Sequence, residues 1–217
     1  MISANTPPDL WNGVRPHVAS LSILLIIVSI VWVLLGKPFP VAFWVAIAVP
    51  VVHQFFVWLT WRLELNSSAT SRVIGFRGFL VVFYILFGGR LISLLVLGWI
   101  DRGSLELGFL PQIIIAMILA VPGFYAIYSV KRYFGFMRAA VADHFYQRFR
   151  DMPLVARGIF RFSNNGMYLY AFLLFWAVTV SFNSIAALVV AAFSHTYIWV
   201  HFFATEKPNM DYLYADD

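Results

Sequence analysis

The chain has no cysteine, which excludes disulfides and thiolate metal sites. It is also poor in charge. Only 12% of its 217 residues are Asp, Glu, Lys or Arg, about half the share of a soluble domain. It has no internal repeat, no low-complexity segment and no separate soluble domain. No glycine-rich dinucleotide fingerprint is present. What the chain does have is apolar surface: 62% of residues are hydrophobic and the mean hydropathy is +0.83. A soluble fold of this length leaves too much area exposed to hide that composition. Lipid removes the conflict, because the outside is then free to be apolar too. The net charge of +5 is compatible with nucleic acid, but the basic residues lie between apolar runs. Membrane orientation and anionic headgroups explain them better, so no nucleic-acid partner is expected.

Six apolar runs stand out, at 18–35, 41–61, 79–100, 109–130, 167–182 and 185–205. A span needs about 20 apolar residues. The first run has neither charge nor proline. It is longer than a signal-peptide core, and Lys37-Pro38-Phe39-Pro40 is no small-residue cleavage site, so a retained span is expected. Asn183-Ser184 separates the last two runs so briefly that they read as a helical hairpin whose first arm is short for a full crossing. The fold class is therefore all-α: a polytopic helical membrane protein of about six membrane segments with a C-terminal helical hairpin. Residues 1–110 read as a transmembrane scaffold and 111–217 as the functional core.

The linkers predict orientation. Arg62, Arg72 and Arg77 lie between runs two and three, and Lys131, Arg132, Arg138, Arg148, Arg150, Arg157 and Arg161 between runs four and five. The alternate linkers carry Lys37 and Arg102. The positive-inside tendency then puts both termini and both basic linkers in the cytoplasm. In the long linker, Phe136, Ala139, Ala140, Phe145 and Phe149 recur at roughly helical spacing among charges. That pattern predicts a helix lying at the interface, anchored on anionic lipid.

The stretch from Gly158 to Tyr170 reads Gly-Ile-Phe-Arg-Phe-Ser-Asn-Asn-Gly-Met-Tyr-Leu-Tyr. With it go Tyr133-Phe134-Gly135 upstream, Thr196-Tyr197-Ile198 in the closing run and Glu206-Lys207-Pro208 near the end. In this order they resemble the membrane-embedded methyltransferases that include phosphatidylethanolamine N-methyltransferase and isoprenylcysteine carboxyl methyltransferase. Asn164-Asn165-Gly166-Met167-Tyr168 is closer to the Asp-Asn-Pro-Met-Tyr form of the phospholipid enzymes than to the Arg-His-Pro form. Gly166 stands where the family has proline, and Lys207 where it has a second glutamate. Gly123 alone stands for a glycine pair. The resemblance spans residues 111 to 214.

That resemblance implies S-adenosylmethionine as methyl donor, held at the cytoplasmic membrane face between hairpin and motif loop. It assigns Tyr133, Gly135, Arg161, Asn164, Asn165, Gly166, Met167, Tyr168, Tyr197 and Glu206 to donor binding. The chemistry of these residues suits the role. Glu206 can pair with the donor's ammonium or ribose hydroxyls. Tyr168 and Tyr197 offer aromatic faces to a cation. Asn164 and Asn165 offer amide donors and acceptors, and Arg161 can meet a carboxylate or a lipid phosphate. An amine acceptor must lose a proton before it attacks the methyl carbon in line, so a base is expected. His195, His201 and Glu206 are the catalytic candidates, since an imidazole titrates in the right range. His195 and His201 are six apart, on different helix faces, so they form no i, i+4 metal pair and no metal is expected.

A charge inside hydrocarbon is a functional hypothesis by default, which makes Arg90 a candidate for substrate binding, together with Arg132. The bland alternative for Arg90 is a snorkelling side chain at a helix break marked by Gly88-Gly89. For His53 the bland reading, a satisfied polar group between helices, is preferred. The expected partner is a membrane lipid substrate, first of all phosphatidylethanolamine or its partly methylated forms. A prenylcysteine carboxyl or small thiol is the runner-up acceptor. A sterol-type reductase and a non-catalytic lipid-binding subunit are the other readings. The small size without extra domains favours a bacterial inner membrane over the endoplasmic reticulum.

Overall fold

The computed structural model describes residues 6–215. In lipid a chain has no water to satisfy its backbone, so apolar runs close their own hydrogen bonds as helices. The first four runs do so as α1 (Val14–Leu34), α2 (Pro40–Ser67), α4 (Gly75–Ile100) and α5 (Phe109–Ser129), with the single polar turn α3 (Ala69–Val73) between α2 and α4. Three shorter pieces cover the long linker and the start of the hairpin: α6 (Phe136–Ala139), α7 (Gln147–Arg150) and α8 (Leu173–Ser181). The chain closes with α9 (Ile185–His201) and α10 (Lys207–Leu213), joined by a π-helical turn at Phe202–Glu206. No strand occurs among the described residues.

Five helical stretches are long and apolar enough to cross a membrane: Val14–Leu34, Pro40–Ser67, Gly75–Ile100, Phe109–Phe134 and Ile185–Leu213. The sixth, Met167–Ser181, is shorter, about 22 Å at the usual rise per residue. The six expected segments are thus five full-length helices and one short arm.

Contacts place the ends of these helices on two faces. On the first, Asn66 Nδ2 donates to the Pro8 carbonyl at 2.9 Å and Arg62 Nη2 to the Asn12 carbonyl at 3.2 Å. Gly13 sits there against the α9–α10 junction: its φ is +80°, and a Cβ would lie 1.9 Å from the Ala204 carbonyl oxygen. Phe76 at the start of α4 meets Phe145 of the linker, ring centroids 4.9 Å apart. Both described ends of the chain are therefore on one face. Arg15, Arg62, Arg72, Arg77, the seven linker cations and Lys207 share it, whereas only Lys37 and Arg102 lie at the other.

The second face is tied by the hairpin tip. Asp101 Oδ2 accepts from Ser184 Oγ at 2.6 Å, Ser104 Oγ at 2.7 Å and Ala186 N at 2.9 Å. Ser184 caps α9 by accepting from Ala187 N. Asn183 adopts φ +56° and exchanges two hydrogen bonds with Leu107. The short hairpin expected at Asn183-Ser184 is present, and its turn is held by the loop after α4.

α9 is the central helix. Ala186, Ala187 and Ala191 let it approach closely, and it packs on Leu21 and Val28 of α1, Phe43 and Ile47 of α2, and Leu94 and Leu97 of α4. α5 packs on α8 where Gly123 meets Leu174; a Cβ there would fall 2.7 Å from Leu174 Cγ. The outer sides of α1 and α5 expose Ile23, Ile26, Ile30, Met117, Ile118 and Val121, as a lipid-facing surface would.

Two expectations need correction. The linker 131–166 is not a helix lying at the interface. It breaks at Gly135 (φ +88°), Val141 (φ +62°) and Gly158 (φ +62°), conformations a continuing helix excludes. Buried Arg138 replaces helical partners by donating to the carbonyls of Pro153 and Met152. Phe145 and Phe149, expected in lipid, pack on Trp61, Phe76 and Phe79 instead. Nor does Gly88-Gly89 break α4, which runs unbroken from Gly75 to Ile100. Arg90 therefore sits near mid-helix, too deep to be a snorkelling end.

Candidate functional site

A column of buried polar side chains runs through the bundle from the basic face to its middle. It begins at the linker. Tyr214 Oη donates to Asp143 Oδ2 at 2.9 Å, and His144 Nδ1 lies 3.0 Å from Asp143 Oδ1. Asn209 Nδ2 of α10 lies 3.0 Å from His144 Nε2. Burial opposes the charge of Asp143, but hydrogen bonds from His144 and Tyr214 and the nearby Arg138 outweigh it and hold the carboxyl below its ordinary range. Tyr214 is pushed up to about 12, first by burial and then by the adjacent Asp143 charge.

The column continues inward through rings. Trp61 of α2 packs on His144 at 4.7 Å and on His201 at 5.5 Å between centroids. His201 meets His17 of α1 edge-on at 6.1 Å, and His17 Nε2 is 2.8 Å from Tyr197 Oη. Deeper still, Arg90 of α4 lies over the rings of Phe172 and Phe175, at 5.2 and 5.8 Å, and Nη1 is 3.5 Å from His53 Nδ1.

Most of this column is only partly paired. Among the described residues, both ring nitrogens of His201 have no hydrogen-bond partner, and neither do Thr205 Oγ1, Asn209 Oδ1, Trp61 Nε1, His53 Nε2, Gln54 Nε2, and Nε and Nη2 of Arg90. All of these residues are more than nine-tenths buried. Leaving one such group bare costs about 1–3 kcal/mol, so a run of them is what a polar ligand would repay.

The structure distributes the expected residues unevenly. Tyr168 and Glu206 meet directly, the Tyr168 hydroxyl donating to Glu206 Oε2. Tyr168 also packs edge-on against Trp199 and Phe202. Tyr197 is fully buried in the column. His195 is on another side of α9: its Nδ1 accepts from Trp176 Nε1 at 3.0 Å and its ring stacks on Phe172. Met167 packs with Ile159 and Phe160, and buried Gly166 lies against Ile159, where a Cβ would come within 3.1 Å of its side chain. Asn164 and Arg161 are exposed at the basic face, Arg161 over the Phe162 ring. Asn165 is half-buried, its N–H on Ser163 Oγ. Arg132 lies exposed over the ring of Tyr133, and Gly135 supplies the turn between them and α6.

Sequence reasoning missed several members. Motif and charge in the sequence do not point to His17, Gln54, Trp61, Asp143, His144 or Asn209, and His53, for which a satisfied polar group is expected, keeps Nε2 bare. Their one sequence signal is polarity within apolar runs. Their partners are remote: 180 positions separate His17 from Tyr197.

With this geometry in view, comparison with known proteins is decisive for the second half of the chain. A family model described as phospholipid methyltransferase matches residues 111–217. Residues 111–217, just under half of the chain, are similar to that family. No curated protein and no solved structure matches. A family of membrane methyltransferases acting on lipid-like substrates agrees with the apolar helices. The match takes in α5 to α10 and leaves α1 to α4 outside. The matched half thus contributes Asp143, His144, Tyr197, His201, Thr205 and Asn209 to the column, with the Tyr168–Glu206 pair in the same half, and the remainder contributes His17, His53, Gln54, Trp61 and Arg90.

Proposed function

We propose that the protein is an integral membrane methyltransferase that uses S-adenosylmethionine and methylates the amine headgroup of phosphatidylethanolamine or its partly methylated forms. One observation carries this reading. His201, Thr205 and Asn209, spaced four apart through the π-helical turn that carries Glu206, the partner of Tyr168, are buried with bare polar atoms within the matched half.

These groups fit the donor, which presents an ammonium, a carboxylate, ribose hydroxyls and an adenine. When bound, it supplies an electrophilic methyl group on a sulfonium sulfur. Glu206, steadied by Tyr168, holds the ammonium or the ribose hydroxyls. Thr205 Oγ1 and Asn209 Oδ1 take further hydrogen bonds. Asn164, Asn165 and Arg161 line the mouth at the basic face, where Arg132 and Tyr133 meet the headgroup region. His201 accepts the proton that the acceptor amine must lose. It is preferred over His195, whose Nδ1 is already engaged by Trp176, and over Glu206, which is engaged by Tyr168. Trp61, His17 and Tyr197 keep its ring in place and exclude water. The basic face is the cytoplasmic one by the positive-inside tendency, so both termini face the cytoplasm.

The test is direct. Purified protein in detergent is titrated with S-adenosylmethionine by calorimetry and then incubated with label-bearing donor and separate lipid acceptors. Binding, with label transferred to phosphatidylethanolamine or its mono- and dimethyl forms, is expected. Absence of donor binding would remove the reading. Label on a prenylcysteine carboxyl alone would move the acceptor to the runner-up class.

A further inference from the structure

Arg90 is 3% exposed near the middle of α4, ten residues from its end at Ile100, and lies outside the matched half. Its guanidinium is always charged. The carboxylates within 4.0 Å of a basic side chain among the described residues are Asp143, beside His144, and Asp211, beside Lys207, so no carboxylate pairs with it. Its neighbours are the faces of Phe172 and Phe175 and one nitrogen of His53, at the limit of hydrogen-bond distance. Two aromatic faces leave the in-plane N–H groups unused, and Nε and Nη2 are bare. His53 Nε2 and the next side chain, Gln54 Nε2, are bare as well, and both residues are at least 97% buried. A guanidinium whose role was only structural would spend its fork on carbonyls, as Arg138 does on Pro153 and Met152 in this same chain. Every acidic side chain of the described residues sits toward one face or the other, at Asp9, Glu64, Asp143, Asp151, Glu206 and Asp211, or at Asp101 and Glu106. The chain itself thus supplies no carboxylate to this guanidinium, and its free N–H groups are open to the anion of a ligand.

We infer that Arg90 and His53 form an intramembrane anion receptor, contributed by the helices outside the matched half, that binds a carboxylate or phosphate oxygen of a bound reactant. The inference rests on the methyltransferase reading for what those reactants are. Two sources have this chemistry: the carboxylate of the methyl donor and the phosphate of the acceptor lipid. The planar fork suits either one, in bidentate fashion.

Direct binding separates them. Full-length protein in detergent is titrated with S-adenosylmethionine, with its decarboxylated analogue, and with dihexanoyl phosphatidylethanolamine, for wild type and Arg90→Gln. If the donor carboxylate is the anion, Arg90→Gln weakens S-adenosylmethionine roughly 10- to 100-fold, the loss expected of a charge-assisted pair, and leaves the decarboxylated analogue unchanged. If the lipid phosphate is the anion, the short-chain lipid alone weakens by that factor. His53→Phe, which suits a site already lined by Phe83 and Phe87, is expected to weaken the same probe several-fold. It carries the test if Arg90→Gln fails to fold. Unchanged affinity for both reactants in a folded variant overturns the receptor while leaving the methyltransferase reading intact. A wild type that binds neither reactant overturns both.

Discussion

The two halves of this chain look alike in composition and differ in what they bury. The half from α5 onward carries the family match, the motif loop and the hairpin. The half before it carries mostly apolar helix. Yet of the nine described residues with bare buried polar atoms, six belong to the first half: His53, Gln54, Trp58, Trp61, Arg62 and Arg90. Three belong to the second: His201, Thr205 and Asn209. The first half is thus more than a scaffold in the physical sense. It closes one wall of the polar column, and α9 is the seam, packed on α1, α2 and α4 on one side and α8 on the other. In the proposed reading the motif loop marks where chemistry is performed, and the unmatched helices set the shape and charge which that chemistry encounters.

The largest expected effect tests whether the matched half alone performs the proton transfer. His201→Gln should lower methyl transfer by about 10²–10⁴-fold, the usual worth of a positioned base, with donor affinity little changed. Single-turnover transfer of label measures it. A comparable drop in His195→Gln, with His201→Gln near wild type, would reverse the assignment between the two histidines. Next in size is Glu206→Gln. Losing the carboxylate should weaken donor binding by roughly 10-fold or somewhat more, with Tyr168→Phe showing a smaller loss because the acid remains. Calorimetry reads both, and unchanged affinity in Glu206→Gln would detach this acid from the donor.

These assignments show what was legible beforehand. The six runs, the hairpin at Asn183-Ser184 and the grouping of cations follow from hydropathy and charge, because lipid leaves a chain few other choices. Tyr168 and Glu206 were legible through order and motif, and they do meet. The linker departs from the expected interfacial helix because a helical spacing of Phe145 and Phe149 looks the same whether the rings face lipid or pack on Phe76 and Phe79. Periodicity reports that a face is apolar, and not what covers it. His17 and His144 were missed for a related reason: a buried hydrogen bond is a property of two distant positions, and a single sequence shows each apart.

Below these effects comes the seam between the halves. Gly13 holds φ +80° with no room for a Cβ beside the Ala204 carbonyl. Gly13→Ala should therefore push α1 away from the α9–α10 junction at a cost of about 1–3 kcal/mol. A lowered thermal midpoint in detergent is expected, with donor affinity falling alongside it because His17 moves with α1. Gly36→Ala is the control: it also has positive φ, but nothing lies within 4 Å of its Cβ. Equal losses in the two variants would mean that backbone strain, and not the contact between halves, is responsible.

The smallest effect concerns pH, and it probes the other end of the same seam. Asp143 ties the linker to Tyr214 and, through His144, to Asn209 and the Trp61 ring of the first half. Its carboxyl is held below the ordinary value of 3.8 in the folded protein, because these hydrogen bonds and Arg138 outweigh its burial. The unfolded chain therefore binds that proton more readily than the folded one in this range. The resulting stabilisation is complete above about pH 4 and disappears as pH falls through the lower folded value. Asp143→Asn should lower the thermal midpoint at neutral pH and flatten the acid limb of midpoint against pH, with Tyr214→Phe giving part of the same change. The difference between wild type and variant isolates this group from other carboxylates. Parallel acid limbs in the two proteins would show that Asp143 gains nothing from its partners on folding, and that other contacts, the packing of Phe145 and Phe149 among them, hold the linker to the first half.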